Sequence, residues 1–348
     1  MAHRIGAATA ACDRPPAIAA WATAVGRHER EGPLGRLFDL ACDDATFGRA
    51  SWEKSESELV RRTMGLLLDK SGRRADDLDC VLAGDLLNQC VASTYGLRSF
   101  GIPVLGLYSA CSTISEALAL GALLLDGGAA GSAAACASSH FCTAERQYRS
   151  PLEYGCVRPP TAQWTATACG AYLLAHRGEP PYVRAVTFGT IEDLGVTDQN
   201  NMGAAMAPAA AETLRRFFAD TALCPADFDA IVTGDLGAVG SELLCSLADA
   251  QGTPVRDRHA DCGLLLFDRG RQDVHAGGSG AGCSAAVLAA VYLPQMRRGS
   301  VNNLLFLATG ALLSPTTVQQ GETIPAISHL VWLSTSPAPF AAGKGAGA

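Results

Sequence analysis

The sequence lacks a basic run: 27 Lys and Arg stand against 34 Asp and Glu, the cations are scattered, and the formal charge is −7. A phosphate backbone needs a concentrated basic face, so nucleic acid is not an expected partner. No CxxC pair occurs, and the 13 cysteines are odd in number and irregular in spacing. That excludes a regular disulfide or zinc framework and favours reduced thiols. No apolar stretch approaches the ~20 residues a bilayer requires; residues 118–125 are cut short by Asp126, Gly127 and Gly128. The first sixteen residues carry Arg4 and several alanines but no leucine-rich core, so no secretory signal and a soluble protein are expected. The one glycine-rich loop, 277–282, does not fit GxGxxG, has no acidic residue at the ribose-binding distance and lacks a phosphate-binding lysine. No nucleotide cofactor is therefore expected.

What is present is ample apolar material, 48% of 348 residues, enough for two domains or one large one at roughly 100–200 residues each. That material is arranged twice. Residues 77–86 read Asp-Leu-Asp-Cys-Val-Leu-Ala-Gly-Asp-Leu, and residues 227–236 read Asp-Phe-Asp-Ala-Ile-Val-Thr-Gly-Asp-Leu. Each window comes after a segment with helical spacing of apolar residues, 56–69 in the first case and 209–220 in the second. The order continues in parallel. The apolar run 103–108 leads to Ser109-Ala110-Cys111-Ser112, a helix to Leu125 and a strand at 133–137. The run 274–276 leads to the glycine loop, a helix to about Met296 and a strand at 304–308. Apolar strands alternating with helices predict mainly parallel sheets covered on both faces. A boundary is expected at Gly178-Glu179-Pro180-Pro181, giving halves 1–180 and 181–333, with 334–348, rich in Pro, Ala and Gly, as a disordered tail.

Several residues in this pattern suit chemistry. Cys111 falls where a strand turns into a helix, and a thiol in the first turn of a helix is expected to have a lowered pKa. It suits an acyl-transfer nucleophile; the same position also suits a small buried residue. His140 lies just past a strand end, where ligands of parallel sheets gather, and suits a base, an anion ligand or a cap. Asp85 and Asp235 end matching strands and are expected to cap the next segment, with Asn88 near the same cleft. The loop holding Gly278 and Ser279 is shaped either to receive an anion on its N–H groups or for close helix–strand packing. Arg146 and Arg149 suit a carboxylate ligand or an ion pair. His259, Asp261 and Cys262 have no second cluster to complete a metal site, so no metal is expected.

The duplicated halves and the cysteine turn resemble the thiolase-like superfamily of thiolases and ketoacyl synthases. Longer runs resemble one family within it, stage V sporulation protein AD of spore-forming bacteria. They include Glu31-Gly32-Pro33-Leu34-Gly35, Leu82-Ala83-Gly84-Asp85-Leu86-Leu87-Asn88-Gln89, Ala110-Cys111-Ser112-Thr113 and Thr143-Ala144-Glu145-Arg146-Gln147. Met202-Gly203-Ala204-Ala205-Met206-Ala207-Pro208 and Thr309-Gly310-Ala311-Leu312-Leu313-Ser314-Pro315 extend the likeness through the second half. The resemblance implies an α/β thiolase-like fold, two βαβαβαββ halves in five αβαβα layers, and a homodimer. It implies a component of the machinery that moves dipicolinic acid into the developing spore, binding that acid alone or with calcium. Its partners would be other stage V sporulation A proteins, with peripheral association at the spore inner membrane. The condensing enzymes pair their cysteine with His and His or Asn from the second half; at those places this chain has Gly234-Asp235-Leu236 and Gly277-Gly278. The expectation is a non-catalytic protein whose ligand meets Cys111, His140, Asn88, Arg146, Asp235, Gly278 and Ser279. The alternative is an acyltransferase with Cys111 as nucleophile.

Overall fold

The computed structural model describes residues 1–148 and 157–340. Ten principal strands form two arrays of the same design. The first contains β1 (Ala17–Val25), β2 (Cys80–Gly84), β3 (Val104–Gly106), β4 (Ser132–Ser139) and β5 (Ala168–Ala175). The second contains β6 (Tyr182–Thr187), β7 (Ala230–Thr233), β8 (His259–Asp261), β9 (Asn303–Ala311) and β10 (Ala326–Ser334). Their orders, β3-β2-β4-β5-β1 and β8-β7-β9-β10-β6, are identical by position. The arrays touch where Tyr182 pairs with Ala17. Within each, the three outer strands are parallel and the last two antiparallel. The sheets are thus mixed, not mainly parallel. The repeat in the sequence reported the duplication correctly, whereas strand composition alone did not report direction.

Helices complete five layers. α1 (Trp52–Ser71) and α2 (Val91–Leu97) cover the outer face of the first array; α5 (Met202–Thr221) and α6 (Gly237–Ala250) cover that of the second. Between the arrays lie α3 (Thr113–Asp126) and α7 (Ala281–Val287), which continues through a π turn to Arg297, while α4 (Phe141–Tyr148), which follows β4, packs on α1. A helix with a sheet on each side must be apolar all round. Accordingly, Ile114, Ala117, Leu118, Ala119, Ala122 and Leu125 of α3 are fully buried, against β2 and β4 on one side and β9 and β10 on the other. α7 is built of small residues because it lies almost on the backbone of β5. A Cβ on Gly282 would sit 1.9 Å from the Ala168 carbonyl oxygen, and one on Gly170 would sit 2.4 Å from that of Ala285. The glycines of this loop thus have a packing role.

Three local expectations change. Residues 274–276 form no strand; the short strand is Gly278–Ser279, paired with Trp164–Thr165. The α5 helix begins at Met202, not 209, and takes Pro208 within it, since its buried alanines against β9 and β10 outweigh the lost N–H. Residues 335–340 do not leave the fold: Phe340 packs on Trp332 at 5.3 Å, with Arg184 over both rings. The rest of the expected tail, 341–348, lies outside the described residues. No helix among the described residues is long and apolar enough to cross a membrane.

Candidate functional site

The chemistry is concentrated where strand ends of the two halves approach the central helices. Cys111 lies in a single 3-10 turn, Ala110–Ser112, that leads into α3. Ala110 has φ +49, a left-handed conformation costly for a residue with a Cβ. The second half pins this turn. The Ser112 hydroxyl donates to the Ala308 carbonyl (2.8 Å) and accepts from the His329 N–H (3.1 Å). A Cβ on Gly310 would meet the Ser109 carbonyl at 2.2 Å, so glycine there is what lets the turn dock against β9.

Facing Cys111 is Asp235, at the end of β7. Its Oδ2 accepts from the Ser279 hydroxyl (2.8 Å) and the Gly280 N–H (3.0 Å), and its Oδ1 from the Thr309 hydroxyl (2.8 Å). Gln163 donates to the Asp235 carbonyl (2.6 Å) and to that of Gly278 (2.9 Å). The anion held by the glycine-rich loop is therefore the protein's own carboxylate. Burial raises the Asp235 pKa, and the donors to it act in the opposite direction. The Cys111 thiol is pushed well above the ordinary thiol range, first by burial and then by the Asp235 charge. This corrects the expected lowering: a one-turn helix start supplies little dipole, and a buried carboxylate beside the sulfur opposes a second negative charge.

The other candidate residues stand elsewhere. His140 is buried, donates from Nε2 to the Ala45 carbonyl (2.7 Å) and accepts at Nδ1 from the Cys142 N–H (3.1 Å). Burial lowers its pKa, so the ring is a neutral brace between two backbone segments with both nitrogens engaged. Asn88 and Arg146 share a hollow of about 330 Å³ with Gln147, Leu87 and Thr143. There Arg146 pairs with Glu53, and Gln147 donates to the Leu86 carbonyl at 3.1 Å. Gln89 and Cys90, beside Asn88, both have left-handed backbones, φ +57 and +51. Arg149 lies outside the described residues. The structure thus joins Cys111, Asp235, Gly278 and Ser279 in one buried cluster, joins Asn88 and Arg146 in a second place, and sets His140 in a third.

The sequence did not single out Tyr108 and Tyr148. Their hydroxyls lie 3.3 Å apart and Tyr148 donates to the Leu86 carbonyl; burial, first, raises the pKa of both, and Cys111 is near enough to each to add to the rise. Tyr108 is 47% exposed, so this pair links the cysteine turn to the surface. In the first half, Asp85 does cap: it accepts from the N–H groups of Leu87 (2.9 Å) and Ser93 (2.7 Å). Asp235 does not cap; Asp261 does that work, accepting from the N–H groups of Leu236 (2.8 Å) and Gly237 (3.0 Å). Near Asp85 the fully buried Glu56 accepts from Ser138 (3.0 Å) and Thr143 (2.6 Å) and titrates at about 8, raised by burial and then by Asp85. No group of three or more His, Cys, Asp or Glu among the described residues is arranged to hold a metal ion.

The fold is that of condensing enzymes. The 3-oxoacyl-[acyl-carrier-protein] synthase III of Aquifex aeolicus VF5 superposes with a TM-score of 0.56 at 12% identity, over 92% of this chain and 99% of that one. A variant of OleA from Xanthomonas campestris superposes with a TM-score of 0.58 at 12% identity, over 93% and 99%. In sequence, the chain is 45% identical over 307 residues to the stage V sporulation protein AD of Bacillus subtilis (strain 168), covering 88% of this chain and 90% of that protein. The family model for stage V sporulation protein AD matches residues 6–334. The chain belongs to the stage V sporulation protein AD family, a sporulation family built on the thiolase-like fold.

Proposed function

We propose that this protein is a non-catalytic, dipicolinate-binding component of the machinery that moves dipicolinate into the developing spore. The observation that carries the non-catalytic part is the Asp235 carboxylate against Cys111. Acyl transfer needs a thiolate, a base and donors free to hold an oxyanion. Here the neighbouring group is anionic, the thiol is held protonated, and the Gly280 N–H is engaged by Asp235. The dipicolinate part rests on family membership and on the chemistry around the cysteine turn. Asp235, Ser279 and Gly280 are spent on one another, and the Gly278 carbonyl on Gln163. Recognition of a flat dicarboxylate then falls to the groups nearer the surface: the Tyr108 and Tyr148 hydroxyls, Asn88 and Arg146.

The same reading puts the protein peripherally at the spore inner membrane, with other stage V sporulation A proteins as partners, and as a homodimer. For the dimer, β3 gives support. It ends the first array with no strand on its outer side among the described residues, and Val104 and Leu105 are 42% and 45% exposed. An unpaired apolar edge is a ready site for pairing with a second copy. The test of the function is direct binding of dipicolinate to the purified protein by surface plasmon resonance, with and without calcium. Saturable binding in either condition is expected; none in both would overturn the reading.

A further inference from the structure

A second surface site emerges between α1 and α2. It is a groove of about 690 Å³ lined by Arg49, Lys54, Arg61 and Arg98, with Glu53 and Glu58 the carboxylates among its lining residues and Val91 and Tyr95 as its apolar wall. In a chain of net charge −7, this cationic concentration runs against the whole.

Its construction is specific. Glu58 is nearly buried, with its side chain 4% exposed, and it receives three arginines: Arg61 from Nε and Nη2 (2.8 and 2.7 Å), Arg62 from Nε (2.8 Å) and Arg49 from Nη2 (2.7 Å). These bonds hold the Glu58 carboxyl well below the usual range, with the Arg61 bond the largest cause. One inward carboxylate therefore fixes three guanidiniums. Arg49 and Arg61 remain about half exposed, and each keeps N–H donors not used on Glu58. Lys54 and Arg98 are exposed and have no ion-pair partner among the described residues. Arg98 lies 4.9 Å over the ring of Tyr95, which is itself 54% exposed. Planar guanidinium forks match oxyanions bidentately, and forks already held in place lose less freedom on binding.

We propose that this groove binds a phosphoryl-bearing anion, with guanidiniums on the phosphoryl oxygens and the remainder of the ligand along Val91 and Tyr95. A phosphoryl group is favoured over a carboxylate because it presents more acceptor oxygens and up to two charges, matching several forks at once. The groove adjoins the hollow of Asn88 and Arg146, with Glu53 and Val91 in the lining of both, but its cations Arg49, Lys54, Arg61 and Arg98 are not among the residues proposed to bind dipicolinate.

The test compares free and lipid-borne phosphate. Inorganic pyrophosphate is titrated calorimetrically, and vesicles of phosphatidylglycerol or phosphatidylcholine are co-sedimented with the protein. The variant carries Lys54→Glu and Arg98→Glu, positions with no ion-pair partner among the described residues. Saturable pyrophosphate binding, or sedimentation with phosphatidylglycerol alone, is expected; each assigns the source. Either should weaken with salt and fall about tenfold or more in the variant, with dipicolinate binding unchanged. No binding of either probe, equal binding by the variant, or binding of poly-glutamate as tight as pyrophosphate would overturn the proposal.

Discussion

Replacing Asp235 by Asn tests the electrostatics of the cysteine turn. The change keeps size and removes the charge that faces the Cys111 sulfur. Two unit charges about 4 Å apart interact by ~4 kcal/mol at an effective dielectric constant near 20, which corresponds to about three pKa units. Burial is the larger cause of the raised thiol pKa and persists in the variant. The expected effect is therefore a partial fall that leaves Cys111 at or above the range of an ordinary thiol. There is a stability cost: Oδ2 accepts from both Ser279 and Gly280, and an amide nitrogen turned toward them leaves a buried donor unpaired, costing about 1–3 kcal/mol. The assay is the pH dependence of iodoacetamide labelling at Cys111, read by mass spectrometry on folded protein, with exposed Cys224 as internal reference. Cys111 in the unmodified protein should label far more slowly than Cys224 at neutral pH, and Asp235→Asn should move its profile to lower pH. Labelling of Cys111 as fast as Cys224, or a profile unmoved by Asp235→Asn, would refute the reasoning.

Three further outcomes are expected. Glu56 titrates at about 8 and Glu29 at about 7 in the folded protein, against about 4.3 when unfolded. The native state thus holds protons that the unfolded state has lost, and stability must fall as pH rises from the unfolded value to about 8. Urea midpoints between pH 7 and 8 should show the decline free of His259 and His329, whose pKa values of about 4 leave them neutral there, and Glu56→Gln should flatten it. A midpoint that rises over this range would contradict the assignment. Gly282→Ala drives a Cβ to 1.9 Å from the Ala168 carbonyl and should destabilise by about 3 kcal/mol or more; a melting temperature within a few degrees of the parent would show that α7 can shift. Leu105→Glu places a charge on the open edge of β3 and should yield a monomer in analytical ultracentrifugation; a dimer unaffected by it would move the interface elsewhere.

Much of the fold was legible because duplication leaves a pattern that single elements do not. The Gly84-Asp85 and Gly234-Asp235 windows end β2 and β7, which hold the same position in their arrays. Strand direction was not legible, since residues 168–175 and 326–334 are as apolar as the parallel strands beside them. The site was legible in part. Cys111 and the Gly278–Ser279 loop fall where the repeat put them, but the loop's ligand is the side chain of Asp235, 44 and 45 residues before the Ser279 and Gly280 that bond it. Only the fold brings Asp235 to Cys111, so helix-dipole reasoning from the turn alone gave the wrong direction for the thiol pKa. His140 sits at a strand end, as the spacing indicated, yet its nitrogens are taken by Ala45 and Cys142, partners with no side-chain signature. Tyr108 and Tyr148 are 40 residues apart and became visible as a pair only through their contact.

A condensing-enzyme fold that binds dipicolinate without using its cysteine as a nucleophile should bind equally well when that sulfur is replaced. Calorimetric titration of dipicolinate into the unmodified protein and into Cys111→Ser, with calcium present and absent, tests this most directly. Saturable binding that survives the substitution is predicted. Absence of binding by the unmodified protein, or binding abolished by exchanging sulfur for oxygen in a folded variant, would contradict it.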